Sequence, residues 1–362
     1  MKNLVIASAY KEAGGIDKEG MEEQVKKARQ FDLFVDVLYD PSQYLLERSI
    51  KENEYDSIYA STIFSFTERD GRIVKRDYNI LAVLERFNQN FIGSDAFTQL
   101  LTQDKSICSM RSNIGINGFI VSRATFEKDP QRVYGSLSKV ALPVLIKPNT
   151  LYGSMGINEN SIVYDDRYIT KTITEQFARF PRLSECWVEE FMENAREFTV
   201  GLIGRDDYFL TSVTEIQKIG DTKLYDETEK DKPINTRGIM YKCLKDSQLH
   251  RKLSECSKSL FRDFKLKDYA RIDFLLKKSL KLIEVNGLPV IGNSMTWEWQ
   301  EKYGLKKEDI LSCLFAFSYF QMSHEGKVVQ IPNKVLTMLP GELISSIQRA
   351  ANQVSPIDEL EG

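Results

Sequence analysis

Histidine is nearly absent from this chain of 362 residues: there are two, His250 and His324, both in polar, helix-like surroundings. A His-based catalytic triad or a histidine-rich metal site has almost nothing to draw on. Cysteine is sparse as well. The five, at positions 108, 186, 243, 256 and 313, contain no CxxC pair. An odd, widely spaced set suits reduced core thiols better than disulfides or zinc, which points to a cytoplasmic setting. Long apolar runs are missing too. Leu4 to Ala7 is too brief for the core of a signal peptide, and Leu311 to Phe320 is interrupted by Ser312 and Ser318. The latter is about half of what crosses a bilayer and reads as a buried helix, so no membrane partner is expected. Nor is there an excess of positive charge, since Lys and Arg number 49 against 52 Asp and Glu. No basic field is available for a nucleic-acid backbone, and a small-molecule partner is favoured. The chemistry must rest on carboxylates, lysines, arginines and bound metal.

What is present is an ordinary folded core, with 42% hydrophobic and 28% charged residues, which excludes a disordered chain. The first 95 residues alternate strand-like runs (Leu4 to Ala7, Leu33 to Leu38, Ser57 to Ser61, Phe91 to Gly93) with amphipathic segments such as Met21 to Gln30. That rhythm predicts a Rossmann-like βαβ open sheet. From Asp95, a candidate N-cap, to Met110 the pattern is helical, and Val140 to Lys147 is a strand ending at Pro148. Further runs at Cys186 to Glu190, Glu197 to Ile203, Tyr208 to Glu215, Tyr269 to Leu276 and Leu280 to Val285 predict a mostly antiparallel α+β unit. Gly220 to Ile239 is rich in charge and poor in apolar residues, the pattern of a surface loop. The expected fold class is therefore α/β, α+β in part.

Three constellations carry chemistry. Asp273 and Glu284 sit on successive apolar strands, and alternation puts Arg271 with Asp273 on one face and Glu284 with Asn286 on another. Paired in a hairpin, the four converge, and two carboxylates with an amide oxygen form a hard-ligand set for Mg²⁺ that leaves Arg271 free to hold an anion. A single carboxylate on a strand is more often just solvent-facing. Four such groups together shift that balance, because adjacent acids repel unless a cation intervenes. The second constellation is Leu145-Ile-Lys147-Pro-Asn-Thr-Leu-Tyr-Gly153-Ser154-Met-Gly156, a strand delivering a lysine into a turn that can offer backbone amides to phosphate. Alone, such a turn is usually only a turn. The third, Trp187-Val-Glu189-Glu190-Phe191-Met192 leading to Glu197, is by itself only a charged hairpin.

Their order resembles the ATP-grasp superfamily, and within it the D-alanine-D-alanine ligases, over Ile92 to Met295; Glu284-Val-Asn-Gly-Leu-Pro289 is the most specific element. The resemblance implies an ATP-grasp fold in four parts: a Rossmann-like domain over 1–95, two α+β subdomains over 96–190 and 191–325 that clasp ATP, and an extension over 326–362. It implies that Lys105 and Lys147 contact the ATP phosphates and that Gly153 and Ser154 line them. Glu189 and Glu190, with the backbone of Phe191 and Met192, would meet adenine, and Glu197 the ribose. Lys230 corresponds to the family's loop lysine near the γ-phosphate. Asp273, Glu284 and Asn286 would hold two magnesium ions, with manganese as the alternative. Arg271 would contact an acyl phosphate, and Ser294 the substrate.

The implied activity is ATP-dependent joining of a carboxylate to the amine of an amino acid, dipeptide or related metabolite, with a homodimer as the implied assembly. The family's N-terminal Gly-Gly-x-Ser-x-Glu turn is replaced here by Ala7-Ser-Ala-Tyr-Lys-Glu-Ala-Gly-Gly-Ile16, so D-alanine specificity does not follow. Glu12 is a weak substitute, and a solvated glutamate is the commoner explanation of it. Acyl transfer to a carrier protein uses the same chemistry and stays open as an alternative. A kinase that stops at a phosphorylated hydroxyl fits less well, because it has no use for Arg271 at an acyl intermediate. A non-catalytic ATP-binding module is disfavoured by the complete set of metal ligands.

Overall fold

The computed structural model describes residues 1–10, 18–70, 72–151, 153–205, 208–220, 222–226, 229, 232, 236–327 and 330–351, the side chain of Met338 excepted. The first apolar runs form β1 (Lys2–Ala7), β2 (Phe34–Tyr39) and β3 (Ser57–Ala60). A hairpin follows, β4 (Phe64–Arg69) and β5 (Arg72–Asn79), and then β6 (Phe91–Ile92). Strands β1, β2, β3 and β6 make one parallel sheet in the order β2-β1-β3-β6. Alternation along β1 splits its side chains between two cores. Val5 and Ala7 meet Met21, Val25 and Ala28 of the helix Lys18–Gln30, while Leu4 and Ile6 meet Leu46 and Ile50 of the helix Gln43–Glu52. The strand order reverses between β1 and β3, so their carboxyl ends open on the crevice where ligands gather in open α/β sheets. The β4–β5 hairpin, at that end of β3, has no counterpart in the sequence reading, because its many charges hide the period-2 pattern.

The second unit is a sheet of β7 (Gly118–Ser122), β8 (Val144–Pro148), β9 (Ile162–Val163) and β10 (Glu185–Glu190), ordered β7-β10-β8-β9 and antiparallel throughout. Two expectations change here. The helical stretch after Asp95 is two helices, Ala96–Gln103 and Lys105–Arg111. Asp104 ends the first with its N–H on the Leu101 carbonyl and starts the second by accepting from Ile107 N. Asp95 does cap the first, accepting from Thr98 N at 2.7 Å. The strand expected from Val140 begins at Val144, since Pro143 has no N–H for the ladder.

The third unit is the five-stranded antiparallel sheet β13-β12-β11-β14-β15, built from β11 (Arg196–Arg205), β12 (Tyr208–Lys218), β13 (Ile239–Cys243), β14 (Tyr269–Leu276) and β15 (Leu280–Asn286). One face carries Phe198, Val200 and Leu202 against Leu253, Leu260 and Phe261 of the helix Ser247–Asp263. The other receives the helix Asn293–Tyr303, which comes so close at Gly201 that a Cβ there would lie 2.5 Å from the Met295 carbonyl oxygen. The buried helix expected around Leu311 is Ile310–His324, buried on all sides from Ile310 to Met322. It shares a core with Ile203, Leu210 and Tyr269 of the third sheet and is bonded to the first: Ser318 Oγ is 2.9 Å from Ser57 Oγ, and Tyr319 donates to Asn3 Oδ1 at 2.7 Å. The helix Gly341–Ala351 packs on it through Leu343, Ile347 and Ala350. Among the described residues no helix is long and apolar enough to cross a membrane, and all five cysteines are free thiols.

Candidate active site

Antiparallel pairing of β14 with β15 sets Arg271 opposite Asn286 and Asp273 opposite Glu284. The next pair is Phe274 with Leu282, so Ile283 is an extra, bulged residue and the strand bends just beyond the carboxylates. The four polar groups converge, and it is the bulge at Ile283 that brings Glu284 and Asn286 onto the face carrying Arg271 and Asp273. Arg271 Nη2 donates to Asp273 Oδ2 at 2.9 Å and to Glu284 Oε1 at 3.1 Å. Asn286 Nδ2 lies 3.1 Å from Glu284 Oε1 and 3.4 Å from Asp273 Oδ2. Instead of standing free for an anion, Arg271 is the cation that keeps the two acids together. Burial, only partly countered by Arg271 and reinforced by Glu284, pushes the Asp273 carboxyl up to about 6. Burial works against the Arg271 charge but is outweighed by Asp273 and Glu284, which hold the guanidinium above its ordinary range.

The donor set fits a hard divalent cation. Asp273 and Glu284 face each other across the ladder, and the Asn286 amide, turned over, offers its oxygen where its nitrogen now points. Among the described residues no three of His, Cys, Asp and Glu cluster closely enough to form a metal cage from protein groups alone.

Lys105, at the start of the helix Lys105–Arg111, feels the charge of Glu284 and also that of Lys147 on β8. Lys147 Nζ reaches Glu189 Oε1 at 2.6 Å, and Trp187 Nε1 donates to the other oxygen of Glu189 at 2.6 Å. Lys105 donates to the carbonyls of Leu151 and, at 3.4 Å, Asn149. Burial above all brings its ammonium down to about 8, with Glu284 raising it and Lys147 lowering it further. Lys105 is thus within electrostatic reach of both Glu284 and Lys147.

The glycine-bearing loop follows β8. Gly156 sits at φ 79 with no room for a Cβ, which would meet Phe180 at 2.7 Å and Pro148 at 2.8 Å. Gly153 and Ser154 are both left-handed, at φ 64, and the Ser154 hydroxyl donates to the Tyr225 carbonyl at 3.4 Å. A serine in that region stores strain, which recurs at ligand-binding turns. Lys230 lies outside the described residues, as does Glu12.

At the end of β10, Glu190 accepts from Asn117 Nδ2 at 3.3 Å and Ala141 N at 3.2 Å, and Phe191 N–H donates to the Pro143 carbonyl at 2.8 Å. The Met192 carbonyl closes the following turn by accepting from Ala195 N at 3.2 Å. Glu197, at the start of β11, pairs with Lys218 at 3.5 Å. Ser294 stands in the first turn of the helix Asn293–Tyr303.

Three groups escaped the sequence reading. Thr199, opposite Asp273 on β11, donates to its Oδ1 at 3.0 Å. It lies two residues from Glu197, so alternation could have put it on the site face. Asn149, within Lys147-Pro-Asn, fixes the helix Lys105–Arg111 by accepting from Ser106 N at 3.0 Å through Oδ1 and from Lys105 N at 3.2 Å through its carbonyl. Tyr225 and Tyr241 meet hydroxyl to hydroxyl at 2.7 Å, with Arg237 Nη1 donating to Tyr225 at 2.9 Å. No local signal joins two tyrosines and an arginine spread over seventeen positions.

A family model described as D-ala D-ala ligase C-terminus matches residues 113–316. A D-alanine--D-alanine ligase of Thermosipho melanesiensis is 23% identical over 88% of this chain and 82% of its own length. The one from Aquifex aeolicus is 30% identical over 59% of this chain and 68% of its own. Among solved structures, a D-alanine--D-alanine ligase from Bacillus anthracis superposes with a TM-score of 0.64 at 17% identity, covering 90% of this chain and all of that one, a likeness of fold.

Proposed function

The chain belongs to the D-alanine–D-alanine ligase family of ATP-grasp proteins, and on that premise we propose that it activates a substrate carboxylate with ATP and joins it to an amine, releasing ADP and phosphate. The observation that carries this reading is the buried convergence of Arg271, Asp273, Glu284 and Asn286 beside Lys105 and Lys147. Triphosphate and carboxylate are both anions, and in-line attack needs their repulsion lowered first.

Asp273, Glu284 and Asn286 would hold Mg²⁺, two ions in this reading, which when bound neutralises the triphosphate and withdraws charge from the transferred phosphoryl group. Lys105, Lys147 and the Gly153–Ser154 turn would cradle the phosphates. Glu189 and Glu190 with the Phe191 and Met192 backbone would take adenine, and Glu197 the ribose hydroxyls. Lys230 would reach the γ-phosphate and Ser294 the substrate. The carboxylate oxygen attacks the γ-phosphorus, forming an O–P bond as the bond to ADP breaks. Arg271 then turns from its carboxylates to the acyl phosphate. The amine nitrogen attacks the carbonyl, the C–N bond forms, phosphate departs with the C–O electron pair, and the nitrogen gives up a proton.

The test is phosphate release from Mg·ATP across L- and D-amino acids, singly and in pairs, with condensed products identified by mass. Release tied to one carboxylate and amine pair, with the amide product, supports a ligase. Phosphate transfer to a hydroxyl, or ATP binding without turnover on any pair, overturns it.

A further inference from the structure

The β4–β5 hairpin stands at the carboxyl end of β3 and is firmly seated there. Asp40 accepts from Phe66 N at 3.0 Å and from Ala9 N at 2.7 Å, and Tyr78 and Ser65 hydroxyls donate to the Pro41 carbonyl at 2.5 and 2.7 Å. Between the hairpin and the second unit lies a cleft of about 430 Å³, within the range of small-metabolite sites. Arg69, Lys75 and Arg76 line it from the hairpin and Arg182 from the opposite wall, with Asp77 as the one acid. None of the four cations has a carboxylate partner among the described residues; Arg76 Nε donates to the Phe66 carbonyl at 3.2 Å, and the Lys75 ammonium sits 4.0 Å over the Phe64 ring. Arg69, Lys75 and Arg182 are solvent-exposed, and four cations facing one acid across a concave surface give it a positive field that favours a bound anion.

The wall opposite the hairpin is Arg182, in the segment that joins the helix Ile169–Arg179 to β10. Arg182 leads into β10, whose Cys186 pairs with Pro148, and Asn149 Nδ2 reaches Glu185 Oε2 at 3.2 Å. Phe180, two residues before Arg182, packs on Gly156. The hairpin cations follow the carboxyl end of β3, at the edge of the first sheet where its strand order reverses and ligands gather in open α/β folds.

We propose that this cleft binds a second anionic group, carboxylate or phosphate, on the substrate of the ligase proposed above, and so selects acidic substrates over neutral ones. Matched pairs test it: glutamate against glutamine and O-phosphoserine against serine, in both configurations. Each is measured as kcat/KM for phosphate release with Mg·ATP and as direct binding by calorimetry without nucleotide. The expected result is at least about a tenfold preference for the charged member, lost in the triple variant Arg69→Gln, Lys75→Gln, Arg182→Gln and kept in Arg69→Lys, Arg182→Lys. Whether the carboxylate or the phosphate pair shows the larger preference names the group. Equal treatment of charged and neutral members, or a preference that survives the triple variant, overturns the assignment. Should no compound release phosphate, the ligase reading falls on its own, and the calorimetric arm still decides for or against the cleft.

Discussion

Lys147 and Glu189 meet at 2.6 Å from adjacent antiparallel strands, with side chains 3% and 5% exposed, so the ammonium expected to serve a triphosphate is held by a buried carboxylate that Trp187 also anchors. Removing one partner leaves a buried charge without compensation, which costs about 3–5 kcal/mol. Glu189→Leu is therefore expected to lower the chemical-denaturation midpoint sharply. The double variant Lys147→Met, Glu189→Leu should recover much of that loss and still fail to bind ATP by calorimetry. Equal stability of the single and double variants would show that the pair is not coupled.

Lys105 gives a pH dependence of defined sign. Its folded value lies near 8, below the ordinary 10.5, so below about pH 8 both states carry the proton and the full cost of burying the charge is present. As pH rises from 8 to 10.5 the unfolded chain still holds a proton the folded chain has released, and stability gains up to about 3 kcal/mol from this group. ATP affinity is expected to move the other way, since the charge proposed to meet phosphate fades. Denaturation at pH 7.5 and 9.5, taken as the difference between wild type and Lys105→Met, isolates the effect from other alkaline titrations. An identical slope in both proteins contradicts it.

The hairpin carboxylates were legible as two pairs because strand alternation fixes facing direction within each strand, but the turn register alone would set Ile283 opposite Asp273, and only the bulge at Ile283 brings Glu284 there. The same rule failed at β4–β5, where charges interrupt the pattern, and over Val140 to Pro143, where apolar residues precede a proline that cannot join the ladder. It was also silent on what Arg271 and Glu189 touch. Both were expected to face a ligand, and both are bonded within the protein, a matter of three-dimensional neighbours such as Thr199 and Trp187. The cationic cleft needed Arg182 and Arg69 to be brought together from two units, which no periodicity encodes.

Gly201→Ala tests how the third sheet positions Ser294. The added methyl would fall 2.5 Å from a backbone oxygen of the helix Asn293–Tyr303, a contact that forces the helix outward. Overpacking of this kind costs about 1–3 kcal/mol. The variant is expected to fold, melt earlier and lose turnover out of proportion to its stability, as the first turn with Ser294 moves. Full activity in a protein with a lowered melting temperature would show that this helix does not position the site.

His250 and Glu298 link two helices on opposite faces of that sheet, with Nε2 2.9 Å from Oε1, while Glu298 also accepts from Val213 N at 2.6 Å. The hydrogen bond to Glu298 raises the imidazole above its ordinary 6.5 despite partial burial. The stabilisation is fully present below that ordinary value and is lost as pH rises through the folded one. His250→Ala should flatten the decline in stability between pH 6 and 8, as followed by thermal melts. A decline of unchanged steepness in the variant would assign it elsewhere.

Glu284→Gln separates metal binding from folding. The amide keeps an oxygen where Arg271 Nη2 now donates at 3.1 Å, and it removes one of the two negative charges that burial and mutual repulsion make costly. Stability in the absence of nucleotide is expected to hold within about 1 kcal/mol of wild type. Without that charge a divalent cation loses one of its two carboxylates, so Mg·ATP affinity should fall at least tenfold by calorimetry while metal-free ATP binds as before. Phosphate release should disappear. Retained substrate-dependent phosphate release would remove Glu284 from the metal site, and an unfolded variant would make its role structural; the stability and binding measurements on one protein preparation tell these apart.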